Sequence, residues 1–553
     1  MKSGYTLIIT ASVLLLPAGC SNDKSANQAV SENHSPAWVA DNGDGTYKNP
    51  ILHADYSDPD VIRTGDDFYM TASSFTCVPA LPILHSHDLV NWTIIGHALK
   101  YQVPREVYDK PQQGNGVWAP CIRYHNSEYY LYYPDPDFGI YLVKAADPAG
   151  PWSEPVMVKS GKGLIDPSPL WDDDGRVYLV HAFAGSRAGI KSILLVCRLN
   201  DEGTKAVDDG VLVFDGHEKH PTIEGPKFYK RNGYYYIFAP AGGVKHGWQV
   251  VLRSKNIAGP YEDKIVMAQG RSPFNGPHQG AWVELKNGES WFIHFQDKGP
   301  YGRVVHLQPM QWKNDWPVIG QDEDGDGTGE PVTWYKKPEV GRSWPVATPA
   351  ASDEFDGSSP GMQWQWNANP GPYWAVPFPD KGLLRMYAVP LPDSFRNFYA
   401  DVPNTLLLKF PAPAFTATAK IAFRPRNEDE KAGLIIMGRD YAYLGLIDSA
   451  GSIIIGQTVC INADRNAPEV KIPEKFSALD TLLYLRVTVS DSALCTFSYS
   501  ADNINFRDVG QPFRAREGGW IGAKAGLFMI RKGKTNDAGW MDVDWFRFSE
   551  YNE

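Results

Sequence analysis

Three carboxylic acids in the first half of the chain stand in short phrases bounded by proline or glycine. They are Asp58 in Ser57-Asp58-Pro59-Asp60, Asp166 in Ile165-Asp166-Pro167-Ser168 and Glu224 in Ile223-Glu224-Gly225-Pro226. If such acids meet, their charges repel, so that one keeps its proton at neutral pH while another stays ionised. An acid that protonates a leaving oxygen and a base that activates water are the groups that break a glycosidic bond.

Trp118 and His278 stand in similar phrases, and all five residues precede an aromatic-rich or apolar, strand-like run by 10 to 13 residues. These runs begin 61, 48, 57 and 57 residues apart, at Phe68, Tyr129, Val177, Tyr234 and Trp291. Such a repeat predicts blades of a five-bladed β-propeller over residues 48–340. Equivalent positions of successive blades lie on one ring, so we expect the five residues to converge at its axis. The alternative is five unrelated turns, in which Asp-Pro is common.

Composition supports an all-β protein. The chain of 553 residues carries 51 Gly, 43 Pro, 18 Trp, 28 Tyr and 24 Phe, which suits many short strands joined by turns. Its net charge of −11 argues against a nucleic-acid partner, which normally meets a basic face. Many aromatic rings with little positive charge instead favour a neutral, hydroxyl-rich ligand.

The three acidic phrases resemble the acidic motifs of glycoside hydrolase family 43, in order and in register. The phrase Leu84-His85-Ser86-His87-Asp88-Leu89-Val90-Asn91-Trp92 is similar to that family's first-blade signature. The resemblance implies hydrolysis with inversion, with Asp58 as general base, Glu224 as general acid and Asp166 orienting Glu224. Many members carry Ser where this chain has Asp60, which raises the question of which aspartate faces the sugar; Asp58 is favoured.

The same resemblance implies four substrate-binding residues. Phe75 and Trp118 would be walls that face the sugar, His278 would lie near the axis, and Arg303 would reach the substrate end of the pocket. Structural alternatives remain: Trp118 as an inter-blade core residue, His278 as a hydrogen-bonded core histidine, and Arg303 as half of a structural ion pair.

The last 200 residues form a second unit. Residues 321–351 are a junction rich in Gly, Pro and charge, and alternating runs such as 417–423 and 483–489 predict a lectin-like β-sandwich over residues 351–553. This part resembles the sandwich of the family's xylosidase and arabinofuranosidase branch, known from gut Bacteroidota. The implied substrates are plant hemicelluloses such as arabinoxyloglucan or arabinoxylan, from which the enzyme would release terminal α-L-arabinofuranosyl units; β-D-xylosyl units are the alternative. A non-catalytic glycan-binding lipoprotein and a retaining hydrolase are further alternatives.

The N-terminus resembles a bacterial lipoprotein signal. Residues 1–19 have an apolar run too short to span a bilayer, and they lead to Cys20, the expected site of lipidation, and a tether over residues 20–47. The protein is therefore expected in the envelope of a Gram-negative bacterium, anchored by lipid alone and facing the periplasm.

No cofactor is expected to be required, and metal ligands are unknown. Asp322, Asp324 and Asp326 have the opening spacing of a calcium loop, but Thr333 stands at the twelfth position where Glu is usual, so a structural calcium is only a possible addition. Cys77, Cys121, Cys197, Cys460 and Cys495 are expected to be buried free thiols.

Overall fold

The first part of the chain folds into five four-stranded antiparallel sheets. The computed structural model describes Met1 and residues 37–449, 452–478 and 481–551. The five sheets follow one another along the chain: β2 (Asp60–Thr64), β3 (Asp67–Thr71), β4 (Ala80–Ser86) and β5 (Thr93–Leu99); β6 (Cys121–His125), β7 (Glu128–Asp135), β8 (Gly139–Ala145) and β9 (Val156–Ser160); β10 (Leu164–Trp171), β11 (Val177–Phe183), β12 (Ile193–Leu199) and β13 (Val211–Asp215); β14 (Lys227–Arg231), β15 (Tyr234–Ala241), β16 (Trp248–Ser254) and β17 (Glu262–Met267); β18 (His278–Glu284), β19 (Ser290–Asp297), β20 (Arg303–Lys313) and β21 (Trp316–Ile319).

The aromatic-rich or apolar runs that revealed the repeat form the second strand of each sheet. The innermost strand is the one before it: β2 lies against β6 and β18, and β10 lies against β6 and β14. Side chains of neighbouring sheets pack between them, as where Phe238 lies 6.2 Å from Trp282 in stacked geometry. The sheets are therefore blades around a common axis, and the predicted five-bladed propeller is confirmed.

The ring is closed outside the blades. β1 (Thr46–Lys48) pairs with β22 (Trp334–Lys336), which joins the two ends of the propeller. The adjacent Lys337 pairs with Asp41 at 2.6 Å and with Asp88 at 2.8 Å. Asp88, from the first-blade phrase, also accepts hydrogen bonds from the backbone of Val90 and Asn91, so that phrase builds a turn that receives the closing lysine.

The C-terminal part is a sandwich of two eight-stranded sheets, as predicted. Alternate residues of facing strands, such as Ile421, Leu485 and Leu434, fill the core between them. One sheet contains β23 (Gln365–Trp366), β26 (Val389–Pro390), β27 (Leu406–Lys409), β29 (Lys431–Met437), β30 (Tyr441–Ser449), β31 (Ser452–Cys460), β32 (Val470–Ala478) and β37 (Lys524–Arg531). The other contains β24 (Ala375–Phe378), β25 (Leu383–Tyr387), β28 (Phe415–Arg424), β33 (Leu482–Val489), β34 (Leu494–Ser500), β35 (Arg507–Asp508), β36 (Phe513–Arg514) and β38 (Trp540–Glu550).

Helix is confined to single turns in the described ranges. These are α1 (Arg105–Tyr108), α2 (Gly185–Ala188) and α3 (Phe398–Asp401), with 3-10 turns at Gly299–Tyr301, Pro379–Lys381 and Ala463–Arg465. No helix among the described residues has the length and apolar character needed to span a membrane. Apart from Met1, the predicted signal lies outside the described residues, as do Cys20 and most of the tether. The five other cysteines are buried and free, as expected.

Candidate active site

All seven residues predicted for the site border one cavity of about 260 Å³ at the mouth of the propeller. The five ring positions come from five consecutive blades, and Phe75 and Arg303 join them. Residues that the sequence did not single out complete the wall, among them Lys191, Gln279 and Trp520. The expected convergence at the axis therefore occurs.

Asp58 is held in one orientation by donors on both carboxylate oxygens. Oδ1 accepts a hydrogen bond from Nη1 of Arg303 at 2.9 Å, and Oδ2 accepts from the hydroxyls of Ser57 at 2.9 Å and Ser73 at 2.5 Å. The residue adopts φ +54° just before β2, a left-handed conformation that is unusual outside glycine. That backbone turn directs the carboxylate into the cavity, where the donors suit an ionised oxygen acceptor.

Asp166 and Glu224 face each other across the third and fourth blades. Oδ2 of Asp166 accepts a hydrogen bond from the backbone N–H of Gly225 at 2.8 Å, so it is fixed beside Glu224. Burial raises the pKa of Asp166; the Gly225 hydrogen bond opposes this, and the charge of Asp58 adds to it. Burial and then the charge of Asp166 raise the pKa of Glu224, which Arg303 opposes in part. The Glu224 side chain is 28% exposed and borders the cavity. Its pKa of about 8 is higher than that of Asp166, about 6, so Glu224 is the acid that keeps its proton.

His278 lies beside the proton-bearing acid. Its Nε2 is 3.5 Å from Oε1 of Glu224, and only 1% of its side chain is exposed. Burial, and then the positive charge of Arg303, lower the pKa of His278 to about 3, so the imidazole is neutral. Both ring nitrogens are buried and neither has a hydrogen-bond partner in the described structure.

Asp60 points away from the cavity. Its Oδ2 accepts hydrogen bonds from the backbone of Ile122 at 2.7 Å and from Arg123 at 2.8 Å, and Lys227 lies 3.4 Å from its other oxygen. The side chain is fully buried beneath the cavity. The structure thus places Asp58, and not Asp60, at the cavity wall.

Three aromatic rings form one side of the cavity. Phe75 and Trp118 have centroids 6.1 Å apart, and Trp118 and Trp520 are also 6.1 Å apart. The indole N–H of Trp118 donates to the carbonyl of Gly114 at 3.0 Å, which fixes its ring. Trp520 belongs to the sandwich and is 48% exposed.

The segment that carries Trp520 is attached to the propeller through its backbone. Gly522 donates to Oδ2 of Asp55 at 3.0 Å, and Oδ1 of Asp55 accepts from the backbone of Arg303 at 2.9 Å. A Cβ on Gly519 would lie 2.7 Å from the backbone nitrogen of Gly114, so only glycine allows this approach. The sequence signal for this wall is the phrase Gly518-Gly519-Trp520, which has no counterpart in the blade repeat.

Two groups of side chains in the described structure have the spacing of metal ligands, and neither borders the cavity. One is the predicted calcium loop, where carboxylate oxygens of Asp322, Asp324 and Asp326 lie within 4.8 Å of one another. Calcium at this loop stays a prediction. The other group lies on the first blade.

Comparison with known proteins matches both parts of the chain to families. Residues 47–317 match the model described as glycosyl hydrolases family 43, and residues 352–549 match the β-xylosidase C-terminal concanavalin A-like domain. A protein of Xylanibacter ruminicola described as a putative β-xylosidase is 37% identical over 511 residues, which cover 91% of this chain and 90% of that protein. The chain belongs to glycoside hydrolase family 43.

Two further similarities bear on this family 43 chain. The non-reducing end α-L-arabinofuranosidase BoGH43B of Bacteroides ovatus is 30% identical, with 91% of this chain and 94% of that protein covered. The crystal structure of the GH43 protein BlXynB from Bacillus licheniformis superposes with a TM-score of 0.78 at 26% identity and covers 92% of this chain and 100% of its own. The family 43 chain is therefore a glycoside hydrolase with this family's two-domain architecture.

Proposed function

We propose that the protein removes single pentosyl units from the non-reducing ends of plant cell-wall oligosaccharides or polysaccharides, with inversion at the anomeric carbon. The observation that carries this proposal is the meeting of Asp58, Asp166 and Glu224 in one small cavity. Glu224 donates its proton to the glycosidic oxygen, Asp58 removes a proton from the attacking water, and the bond to the leaving group breaks in the same displacement. No cofactor enters these steps.

The supporting residues have separate tasks in this mechanism. Arg303, Ser57 and Ser73 hold Asp58 so that a free lone pair faces the water. Asp166 acts on Glu224 through its negative charge, which favours the protonated acid, and so it is a positioning residue that also tunes a pKa. The neutral His278 lies against Glu224 without adding charge to the site.

The shape of the cavity favours removal of terminal units. Its volume of about 260 Å³ lies just below the usual range of about 300–1,000 Å³ for sites that hold drug-sized ligands. Trp520 of the sandwich forms part of the cavity wall. An endo-acting enzyme would instead need an open groove at this place. Phe75, Trp118 and Trp520 offer apolar faces to the C–H groups of one sugar ring.

We infer β-D-xylosyl as the preferred unit and keep α-L-arabinofuranosyl as the second candidate. The 37% identical relative is described as a putative β-xylosidase, whereas the arabinofuranosidase is 30% identical. The sequence alone favours the opposite order, with α-L-arabinofuranosyl first and β-D-xylosyl as the alternative. Lipid anchoring at Cys20 and a periplasm-facing position in a Gram-negative envelope remain part of the proposal.

Hydrolysis of two aryl glycosides tests the proposal. We expect a higher kcat/KM on 4-nitrophenyl β-D-xylopyranoside than on 4-nitrophenyl α-L-arabinofuranoside, and proton NMR should show the first-formed xylose as the α anomer. The opposite rate order would select the arabinofuranosidase activity. A first-formed β-xylose would overturn the inverting mechanism, and no cleavage of either substrate or of xylo-oligosaccharides would overturn the enzyme activity.

A further inference from the structure

Two histidines and an aspartate meet on the outer part of the first blade, away from the cavity. Asp67 begins β3, His85 lies near the end of β4, and His87 follows β4 directly. β3 and β4 are paired so that Tyr69 lies opposite His85, which brings Asp67 next to the end of β4. Residues two apart in an extended chain point to the same side, so both imidazoles reach the same carboxylate.

The donor atoms of this triad are already close together. Oδ1 of Asp67 lies 2.8 Å from Nε2 of His85 and 2.9 Å from Nδ1 of His87, and the three atoms lie within 4.8 Å of one another. The His85 contact is a hydrogen bond. Nδ1 of His87 is buried and has no hydrogen-bond partner within the described ranges, although it faces the carboxylate. One carboxylate oxygen of Asp67 therefore lies near two imidazole nitrogens, but only the nitrogen of His85 forms a hydrogen bond with it.

This donor set matches the ligands of a transition metal. Imidazole nitrogen and carboxylate oxygen bind Zn²⁺ at about 2.0–2.2 Å, which places tetrahedral donors about 3.4 Å apart. The observed nitrogen–oxygen separations of 2.8 and 2.9 Å need to open by only about half an ångström. Side-chain exposures of 22% to 35% leave room for water at a fourth position. We propose that Asp67, His85 and His87 form a site for a divalent transition metal of the Zn²⁺ class.

The charges around the site limit how tightly it can hold a cation. The guanidinium of Arg342 lies 3.6 Å from the ring centroid of Trp344, and its positive charge opposes a cation nearby. The exposed Asp66 is already paired with Lys286 at 2.5 Å, so its negative charge offsets little of the positive charge of Arg342. We therefore expect micromolar and not picomolar affinity.

The site would fix the start of the connection between the two domains. The ring of His87 stacks on Trp344 at 3.8 Å with an interplanar angle of 13°. Trp344 lies after the propeller and before the first strand of the sandwich. A metal that immobilises His87 would thereby hold this connection against the first blade. None of the three ligands borders the cavity, so the ion would stabilise the protein without taking part in hydrolysis.

Isothermal titration of the tag-free, EDTA-treated protein with Zn²⁺ tests the site. We expect one ion per chain, and we expect His87→Ala and the milder His87→Gln each to weaken binding at least tenfold. His217→Ala is the matched control, because His217 faces Asp215 at 2.6 Å without a second histidine. That control should bind Zn²⁺ as the wild type does, and hydrolysis of the aryl xyloside should be unchanged in all variants.

Two further measurements keep the proposal open to refutation. Zinc-edge X-ray absorption should show two nitrogen ligands and oxygen ligands near 2.0–2.2 Å, and Zn²⁺ should raise the Tm of the wild type but not that of His87→Gln. Calcium, which prefers oxygen ligands, should not displace the zinc. Absence of binding at 100 µM Zn²⁺, or unchanged binding in a folded His85→Ala/His87→Ala variant, would overturn the proposal.

Discussion

Two layers of charged residues lie one above the other at the centre of the propeller, and they differ in how far cationic side chains compensate their carboxylates. In the upper layer, Asp166 and Glu224 border the cavity without a lysine or arginine of the described chain in ion-pair contact, and the pKa of each is raised. In the lower layer, Asp60 is fully buried and is paired with Arg123 at 2.8 Å. Burial lowers the pKa of Arg123, but the charge of Asp60, its hydrogen bond and the nearby Cys121 and Tyr229 together outweigh this effect and raise the pKa.

The lower layer joins blades, whereas the upper layer faces the ligand. Asp60 in the first blade contacts Arg123 in the second and Lys227 in the fourth, and Ser168 in the third accepts from Arg123 at 3.1 Å. Asp58 and Asp60 are only two residues apart and each is paired with an arginine, Asp58 with Arg303 at 2.9 Å and Asp60 with Arg123 at 2.8 Å, but only Asp58 borders the cavity. Residue type, burial and an arginine partner therefore do not distinguish the proposed base from Asp60; contact with the cavity does.

Loss of the proposed base should have the largest effect on hydrolysis. Asp58→Asn keeps the shape but cannot accept the proton from water, so kcat should fall by about 10²–10⁴ on every substrate. Replacement of the proposed acid should have an effect that depends on the leaving group. Glu224→Gln should lower kcat far less on an aryl xyloside than on xylobiose, because a phenolate leaves without protonation. Steady-state kinetics of both variants on both substrates measure these effects, with circular dichroism to verify folding. Equal losses of Glu224→Gln on the two substrates would remove its role as acid.

A substitution in the lower layer should instead lower the stability of the protein. Asp60→Asn leaves Arg123 and Lys227 buried without their counter-ion, which should lower the free energy of unfolding by about 3–5 kcal/mol. Denaturant unfolding measures the change, and the folded fraction should retain most of its kcat. The control is Asp215→Asn in the exposed pair with His217, where the stability should change little because solvent screens the pair. A stable Asp60→Asn protein without activity would invert the assignment of the two layers.

The wall supplied by the sandwich should affect binding more than chemistry. Trp520→Ala removes an aromatic face from the cavity without touching an acid, so KM should rise about tenfold, equivalent to about 1.4 kcal/mol, while kcat changes little. The exposed Tyr373→Ala variant of the same domain is the control. A fall in kcat with unchanged KM would mean that Trp520 acts on the transition state and not as a binding wall.

The smallest effect should be a gain in stability when the proposed catalytic acid, Glu224, is replaced. Because the pKa of Glu224 is raised in the folded state, that state binds more protons than the unfolded chain, and stability falls as pH rises from the ordinary glutamate range through the raised value. Glu224→Gln should therefore raise the Tm by about 1–3 °C at pH 8 and have little effect at pH 4. Calorimetry at both pH values measures this. A lower Tm at pH 8 would show that the acid is stabilised in its ionised form.

Much of the site is predictable from the sequence because each blade repeats the same positions. The distance from each ring residue to the next strand is nearly constant, and this alone indicates that Asp58, Trp118, Asp166, Glu224 and His278 lie together. Trp520 escapes such reasoning because it lies 462 residues after Asp58 in a loop with no counterpart in the repeat. The Arg123 and Lys227 pairs with Asp60 escape it because side chains from different blades meet only once the ring has closed.

The bridging carboxylate of Asp55 bears on how the enzyme is made. One of its oxygens binds the backbone of Arg303 and the other binds Gly522, so the partner of the proposed base and the segment with Trp520 share one anchor. Gly522 follows all five blades along the chain, so a ribosome releases it after them. The cavity therefore acquires its sandwich wall only after the blades that carry Asp58, Asp166 and Glu224 have been synthesised.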